Sequence, residues 1–331
     1  MNVGIYAPNW IGDAVLAIPF VNRCRQYFPD AHITLIAKAW VAAIYQHHPS
    51  VDEIISLEGS QLRGLRPTTR SGRRLARLEL DRFYILPDSL RTAYLSWLAR
   101  SPVRIGFRGQ FRSPFLTRAL PSPAAALHRA DRYLRLLETT SASASIPPGI
   151  TVTKEEAQWA ATEMDRRGLD RPLAVFPSSV AESRRVPLVK WVKFLTPHLE
   201  AGRQLLFIGS RQDRPASDNL IQRLGRTGAV ATVCGETTLR QSIALMTQCE
   251  GAIASDSGLG HIAANLGLKT VSIFGAGDPD ITRPLGSRAV VVAEPVHCSP
   301  CRRNICANRE EPLLCLTAID DLAIAKAYNA L

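Results

Sequence analysis

Two stretches of this 331-residue chain place reactive side chains where an apolar run gives way to a helix-like segment. The first is Pro8, Asn9, Trp10, Ile11, Gly12, Asp13, which follows the run at 3–7. A lone carboxylate there, at the usual mouth of an α/β site, suits removal of a proton from a substrate hydroxyl. Asp13 reads equally well as a first-turn acid favoured by the helix dipole. The second stretch is Ser255, Asp256, Ser257, Gly258, Leu259, Gly260, His261, between the run at 251–254 and the helix-like 262–266. A small, hydroxylated, glycine-rich turn leaves backbone N–H groups at the positive end of a helix, a setting for phosphate. The plain alternative is a strand-to-helix turn capped by Ser255 or Asp256.

Two weaker clusters follow other strands. Ser178 and Ser179, then Arg184 and Arg185, come after the run at 173–176, and two guanidiniums behind a hydroxyl pair could clamp a diphosphate. A solvated basic loop is the alternative, with Pro187 opening the next helix. Asp213 follows the run at 204–208, where a carboxylate commonly accepts hydrogen bonds from ribose hydroxyls. Asp278, Pro279, Asp280 imitates a metal-binding DxD but reads more simply as a turn. Cys298, Cys301, Cys306 and Cys315 fit a structural metal, disulfides or unlinked thiols, whereas Cys24, Cys234 and Cys249 read as core thiols.

These groups need a scaffold that brings strand ends together. Short β-rich runs at 3–7, 33–37, 53–57, 83–86 and 103–107 alternate with helical patterns at 14–28 and 90–99. A second series begins with a helix at 155–167 and continues with strands at 173–176, 204–208, 230–233, 251–254 and 270–274. The pattern predicts two doubly wound α/β domains, 1–150 and 151–331, with 141–149 as a linker and 113–126 as a Pro-, Ser- and Ala-rich connection. No apolar run reaches the roughly 18 residues of a membrane span, and the start lacks a basic signal region, so the expected location is cytoplasmic. The formal net charge is +11, and residues 61–135, with sixteen Arg, no Lys and four acids, account for all of it. Arg without Lys favours planar contacts to phosphate or carboxylate, or follows from a GC-rich genome. An anionic partner is expected: an acidic glycolipid, a membrane surface or nucleic acid.

The stretches NWIGDAVLAIP at 9–19, YILPDSLRTA at 84–93, RIGFRGQFR at 104–112, ESRRVP at 182–187 and SDSGLGHIAANLGLKTVSIFGAGDP at 255–279 together resemble glycosyltransferase family nine, the lipopolysaccharide heptosyltransferases, and within it the type II group. The CSPC segment at 298–301 resembles the same group. The resemblance implies a GT-B fold of two facing Rossmann-like domains, the first for the acceptor and the second for the nucleotide sugar, with the last helix packing back on the first domain. It further implies inverting transfer from ADP-heptose to the heptose and Kdo region of a lipid A precursor, with no cofactor and no catalytic metal. Asp13 then becomes the general base. Ser178, Ser179, Arg184, Arg185, Asp213, Asp256, Ser257, Gly258, Leu259 and His261 become the donor site, while Arg104, Arg108 and Arg112 orient an anionic glycolipid at the inner leaflet, making the protein peripheral there. Arg184 and Val186 depart from the Lys and Trp usual in that loop, and Gly260 stands where a larger residue is common. A GT-B transferase or epimerase using another nucleotide sugar fits the same plan. Nucleic acid is not expected as a partner, since aromatics do not interleave with the arginines.

Overall fold

In the computed structural model, which describes residues 1–123, 126–138, 149–225 and 228–331, each half of the chain winds a six-stranded parallel sheet. The two compact units are Met1–Thr151 and Val152–Leu331. The expected linker lies outside the described residues except for Gly149.

The first sheet contains β1 (Asn2–Tyr6), β2 (His32–Lys38), β3 (Glu53–Leu57), β4 (Arg82–Ile85), β5 (Val103–Phe107) and β6 (Arg118–Leu120), in the order β3-β2-β1-β4-β5-β6. The second contains β7 (Leu173–Phe176), β8 (Leu205–Phe207), β9 (Val230–Thr232), β10 (Gly251–Ser255), β11 (Lys269–Phe274) and β12 (Ala289–Ala293), in the order β12-β11-β10-β7-β8-β9. The same winding therefore occurs twice, and the connections reverse direction between β1 and β4 and again between β7 and β10. Ligands of such sheets sit at the carboxyl ends of the strands flanking that reversal. The central strands are continuous apolar runs because helices cover both faces, and every residue of β7 and β10 is buried.

Local departures from the sequence reading have local causes. The helix expected at 14–28 starts earlier and divides into Ile11–Leu16 and Ile18–Tyr27, because Pro19 cannot donate within a continuous ladder and instead sits in the first turn of the second piece. The early start places Asp13 in the first turn. Two strands, β6 and β12, were not expected. Each is an edge strand, and β6 is only Arg-Ala-Leu within the Pro-rich connection.

The last helix, Ala323–Asn329, buries Ile324 and Tyr328 in the apolar core of the second unit, with Trp191, Phe194 and Leu316. Tyr328 meets His198 edge-on at 5.3 Å, and it reaches this position over Gly251, where a Cβ would lie 2.5 Å from the phenol oxygen. Ile324 is fully buried. Ile324→Ala should lower stability by about 2–5 kcal/mol in urea unfolding; a loss below about 1 kcal/mol would contradict this packing.

Candidate active site

In the second unit, the turn after β10 is fixed from both sides of the sheet's reversal point. Ser255 Oγ donates to the Pro177 carbonyl after β7 at 2.9 Å, Ser179 Oγ donates to the Asp256 carbonyl at 2.9 Å, and the Asp256 N–H reaches the Ile273 carbonyl of β11 at 3.0 Å. Ser255 is thus a strand tie and not a cap. Ser257 occupies the cap position of helix Gly258–Asn265, yet no side chain caps the helix, and Ser257 Oγ is buried with no hydrogen-bond partner. The first-turn N–H groups remain available together with a buried hydroxyl, which is the state expected of a phosphate cradle. Gly260 lets this helix lie close to β10, since a Cβ there would stand 2.8 Å from the Ala254 methyl.

A cation stands beside the turn. Arg184, from the loop after β7, places Nη1 3.1 Å from Asp256 Oδ2, and Asp256 is only 5% exposed. Gly277 makes room for that carboxylate, because a Cβ at 277 would lie 2.1 Å from Oδ2. Arg184 itself is about three-tenths exposed and can serve a ligand as well as Asp256. Its neighbour does something different. Arg185 donates through Nε to the Ser179 carbonyl at 2.8 Å and through Nη2 to that of Val180 at 3.2 Å, so it braces its own loop, and the paired clamp becomes one arginine. Val186 points into the core, filling an apolar position.

Asp213 accepts at Oδ2 from both the N–H and the hydroxyl of Ser210, each at 2.7 Å, so one of its oxygens closes a capping box. Ser178, Leu259 and His261 lie on the β7 and β10 exits, His261 being buried. Asp278 caps helix Pro279–Thr282, as the turn reading expects. Cys24, Cys234 and Cys249 are buried as expected. The four late cysteines line one cavity of about 510 Å³ as free thiols, and no group of three or more His, Cys, Asp or Glu among the described residues is placed to hold a metal ion.

In the first unit, Asp13 stands at the β1 exit with Arg129 Nε 3.6 Å from Oδ1. Burial first, and Asp13's charge second, push the phenols of Tyr45 and Tyr133 well above their usual range. Tyr45 donates to the Ala14 carbonyl at 2.8 Å and steadies the turn. Across the reversal point, the β4 exit carries Asp88, held by Arg112 Nη2 at 3.0 Å and Arg132 Nη2 at 2.7 Å. Arg132 lies on Phe107, 4.5 Å from its ring centroid, on the same helix as Arg129.

The three arginines chosen from sequence for the acceptor do not form one array. Arg112 is fully buried, with Nε on the Phe107 carbonyl at 2.6 Å and Nη1 on that of Pro87, so it positions Asp88 and has no surface to offer a ligand. Arg104 serves the carbonyls of Phe115 and Ser101, and Arg108 Nε that of Ala119 at 2.9 Å. Sequence reasoning passed over Arg129, Asp88 and Arg132. Asp88 carried the same signal as Asp13, a carboxylate just past a strand.

The Arg184–Asp256 pair generates a stability test. Arg184→Ala takes the cation away from a buried carboxylate and should cost about 1–3 kcal/mol, and adding Asp256→Asn to that variant should recover more than half of the loss. Equal stability of the single and double variants would contradict the pairing.

The chain is similar to known proteins over most of its length. Residues 68–311 match the profile of glycosyltransferase family 9 (heptosyltransferase). Lipopolysaccharide heptosyltransferase 2 of Salmonella typhimurium is 27% identical over 307 residues, covering 88% of each chain. The structure of Escherichia coli ADP-heptose lps heptosyltransferase II superposes with a TM-score of 0.82 at 24% identity, over 100% of this chain and 98% of that one. An E. coli heptosyltransferase solved with ADP gives 0.72 at 18% identity, over 89% and 94%. The fold is GT-B, and the chain belongs to glycosyltransferase family 9, the heptosyltransferase family.

Proposed function

We propose that this glycosyltransferase moves L-glycero-D-manno-heptose from ADP-heptose to the heptose and Kdo inner core of a lipid A precursor, with donor on the second unit and acceptor on the first. The observation that carries the reading is the uncapped start of helix Gly258–Asn265, with an unpartnered buried hydroxyl at its mouth and Arg184 alongside, in a chain of this family. The nucleotide and sugar come from what the relatives and the same-fold enzymes are named for and were solved with.

In this scheme Asp13 accepts the proton of the acceptor hydroxyl as its oxygen attacks the anomeric carbon. The bond from that carbon to the β-phosphate oxygen breaks on the opposite face, ADP leaves, and the anomeric configuration inverts. The charge gained by the leaving phosphate is met by N–H groups at 258–260, the Ser257 hydroxyl and Arg184. Asp256 fixes Arg184 in place, and Ser178, Ser179, Leu259 and His261 complete the donor wall. Asp213 offers its Oδ1 to a ribose hydroxyl while Oδ2 holds Ser210. The fixed cation and the helix start do the work that a divalent ion does in other transferases, so the scheme uses neither metal nor cofactor.

The acceptor places the reaction at the inner face of a membrane. Helix Leu65–Leu75 buries Thr68, Ser71, Gly72 and Leu75 and exposes Arg66, Arg70, Arg73 and Arg74, a basic face suited to anionic lipid headgroups. No helix among the described residues is long and apolar enough to cross a membrane. Attachment is therefore peripheral and electrostatic in this reading.

Two measurements check it. Asp13→Asn should lower turnover by about a hundredfold or more while ADP affinity stays within about twofold, since general base catalysis contributes about 10² to 10⁴; near-normal turnover would remove Asp13 from its role. Binding to vesicles containing anionic lipid should weaken as salt rises from about 0.01 to 1 M, over which the Debye length falls from about 30 to 3 Å. Binding indifferent to salt would contradict an electrostatic attachment.

A further inference from the structure

A recess of about 480 Å³ opens beside the carboxyl ends of β2 and β3 in the first unit, lined by Lys38, Trp40, Ser60, Leu62, Arg63 and Arg91. Its three cations come from three different strand exits. Lys38 ends β2, Arg63 follows β3 through the short helix Gly59–Leu62, and Arg91 is in the first turn of helix Leu90–Leu98 after β4. The strand between β2 and β4 is β1, whose exit carries Asp13.

The charge in this recess is unbalanced. The described ion pairs of the first unit engage Arg25, His32, Arg112, Arg118, Arg129 and Arg132, and none includes Lys38, Arg63 or Arg91. Asp88, three residues before Arg91, is held by Arg112 and Arg132, and Glu58, five before Arg63, shares a capping box with Gln61. Lys38 Nζ lies 4.8 Å above the Trp40 ring, and burial together with the charge of Arg91 holds its pKa below the usual lysine value. Like charges gathered without a counter-charge raise the free energy of the empty site, and a bound anion relieves it. Trp40 adds an apolar face, with its ring about half exposed and its indole N–H donated to the Asn9 carbonyl at 3.1 Å. That bond ties the recess to the loop that leads into Asp13. Asn9 Oδ1 is itself buried without a hydrogen-bond partner.

We propose that this recess binds an anionic group on the sugar acceptor, a phosphate monoester or a carboxylate, while the Trp40 face packs on a pyranose ring. The proposal rests on the acceptor reading above and takes the place of Arg112, which is fully buried, among the anion contacts. With the reacting hydroxyl at Asp13, the anion sets which hydroxyl is presented.

Kinetics with an intact inner-core acceptor and with the same acceptor treated with phosphatase test it. Lys38→Ala and Arg91→Ala should each raise the acceptor KM about tenfold or more and leave kcat and donor KM within about twofold, as expected for lost charge-assisted contacts, while Lys38→Arg, which keeps the charge, should stay near the wild-type KM. If phosphate is the group held, phosphatase treatment brings the wild-type chain to the level of the variants; if carboxylate is, treatment changes nothing and the variants keep their loss. Acceptor KM unchanged in both variants with both acceptors overturns the proposal. The recess is also tested without catalysis by acetylation read from peptide masses. Inorganic phosphate should slow acetylation of Lys38 relative to Lys154 in the wild-type chain, and lose this effect in Arg91→Ala; no protection in the wild type overturns the proposal. A wild-type chain that protects Lys38 yet makes no product from either acceptor counts against the transferase reading and leaves the anion site standing.

Discussion

The helix start after β10 is the constraint on which the proposed donor site depends. A helix that begins without a cap exposes N–H groups and an unopposed dipole end. The turn is nonetheless rigid. Ser255 and Ser179 spend their hydroxyls on carbonyls across β7 and β10, and Asp256 is locked between Arg184 and the bare backbone of Gly277. The polar atoms of the turn are thus divided between those that fix it and those left for a ligand. Moving Gly260 to a larger residue, or Gly277 to any residue with a Cβ, would disturb the fixing half first.

The first unit applies the same topology to a different chemical end. Its reversal point carries Asp13 on one side and Asp88 on the other, and a single helix, Arg129–Leu134, supplies a cation to each. Arg112 anchors this set from beneath, fully buried, with each of its donors on an oxygen of the β4 or β5 exits. Burying that guanidinium is tolerable because a carboxylate and two carbonyls satisfy it. Its effect is to hold Asp88 still at the carboxyl end of β4. Arg129, beside Asp13, is by contrast about one-third exposed, which suits the proton-accepting role proposed for that carboxylate.

What could be read in the sequence follows from how many neighbours each element has. Strands β1, β7 and β10 are flanked on both edges and covered on both faces, so nearly all of their residues are apolar, and their exits mark Asp13, Ser178, Ser179 and the Ser255–His261 turn. The edge strands β6 and β12 pair on one side only and carry weak patterns. For the arginines, residue type alone could not separate roles. Arg184 and Arg185 are adjacent, yet one meets Asp256 and the other two carbonyls of its own loop. Arg112 shares a motif with Arg108 but ends buried beneath Asp88. Lys38, Arg63 and Arg91 lie far apart in sequence and meet only because parallel crossovers return each strand exit to one edge. Position at or soon after a strand end is the signal these cations share with Asp13 and Asp88.

The measurement that tests the central claim most directly is transfer by the purified chain from ADP-heptose, and separately from UDP- and GDP-sugars, to a defined heptose-bearing inner-core acceptor, read by product mass and by the anomeric configuration of the new bond. The account predicts a gain of one heptose from ADP-heptose alone, with the configuration inverted. A product formed only from another nucleotide sugar, or heptose transferred with retention, would contradict it.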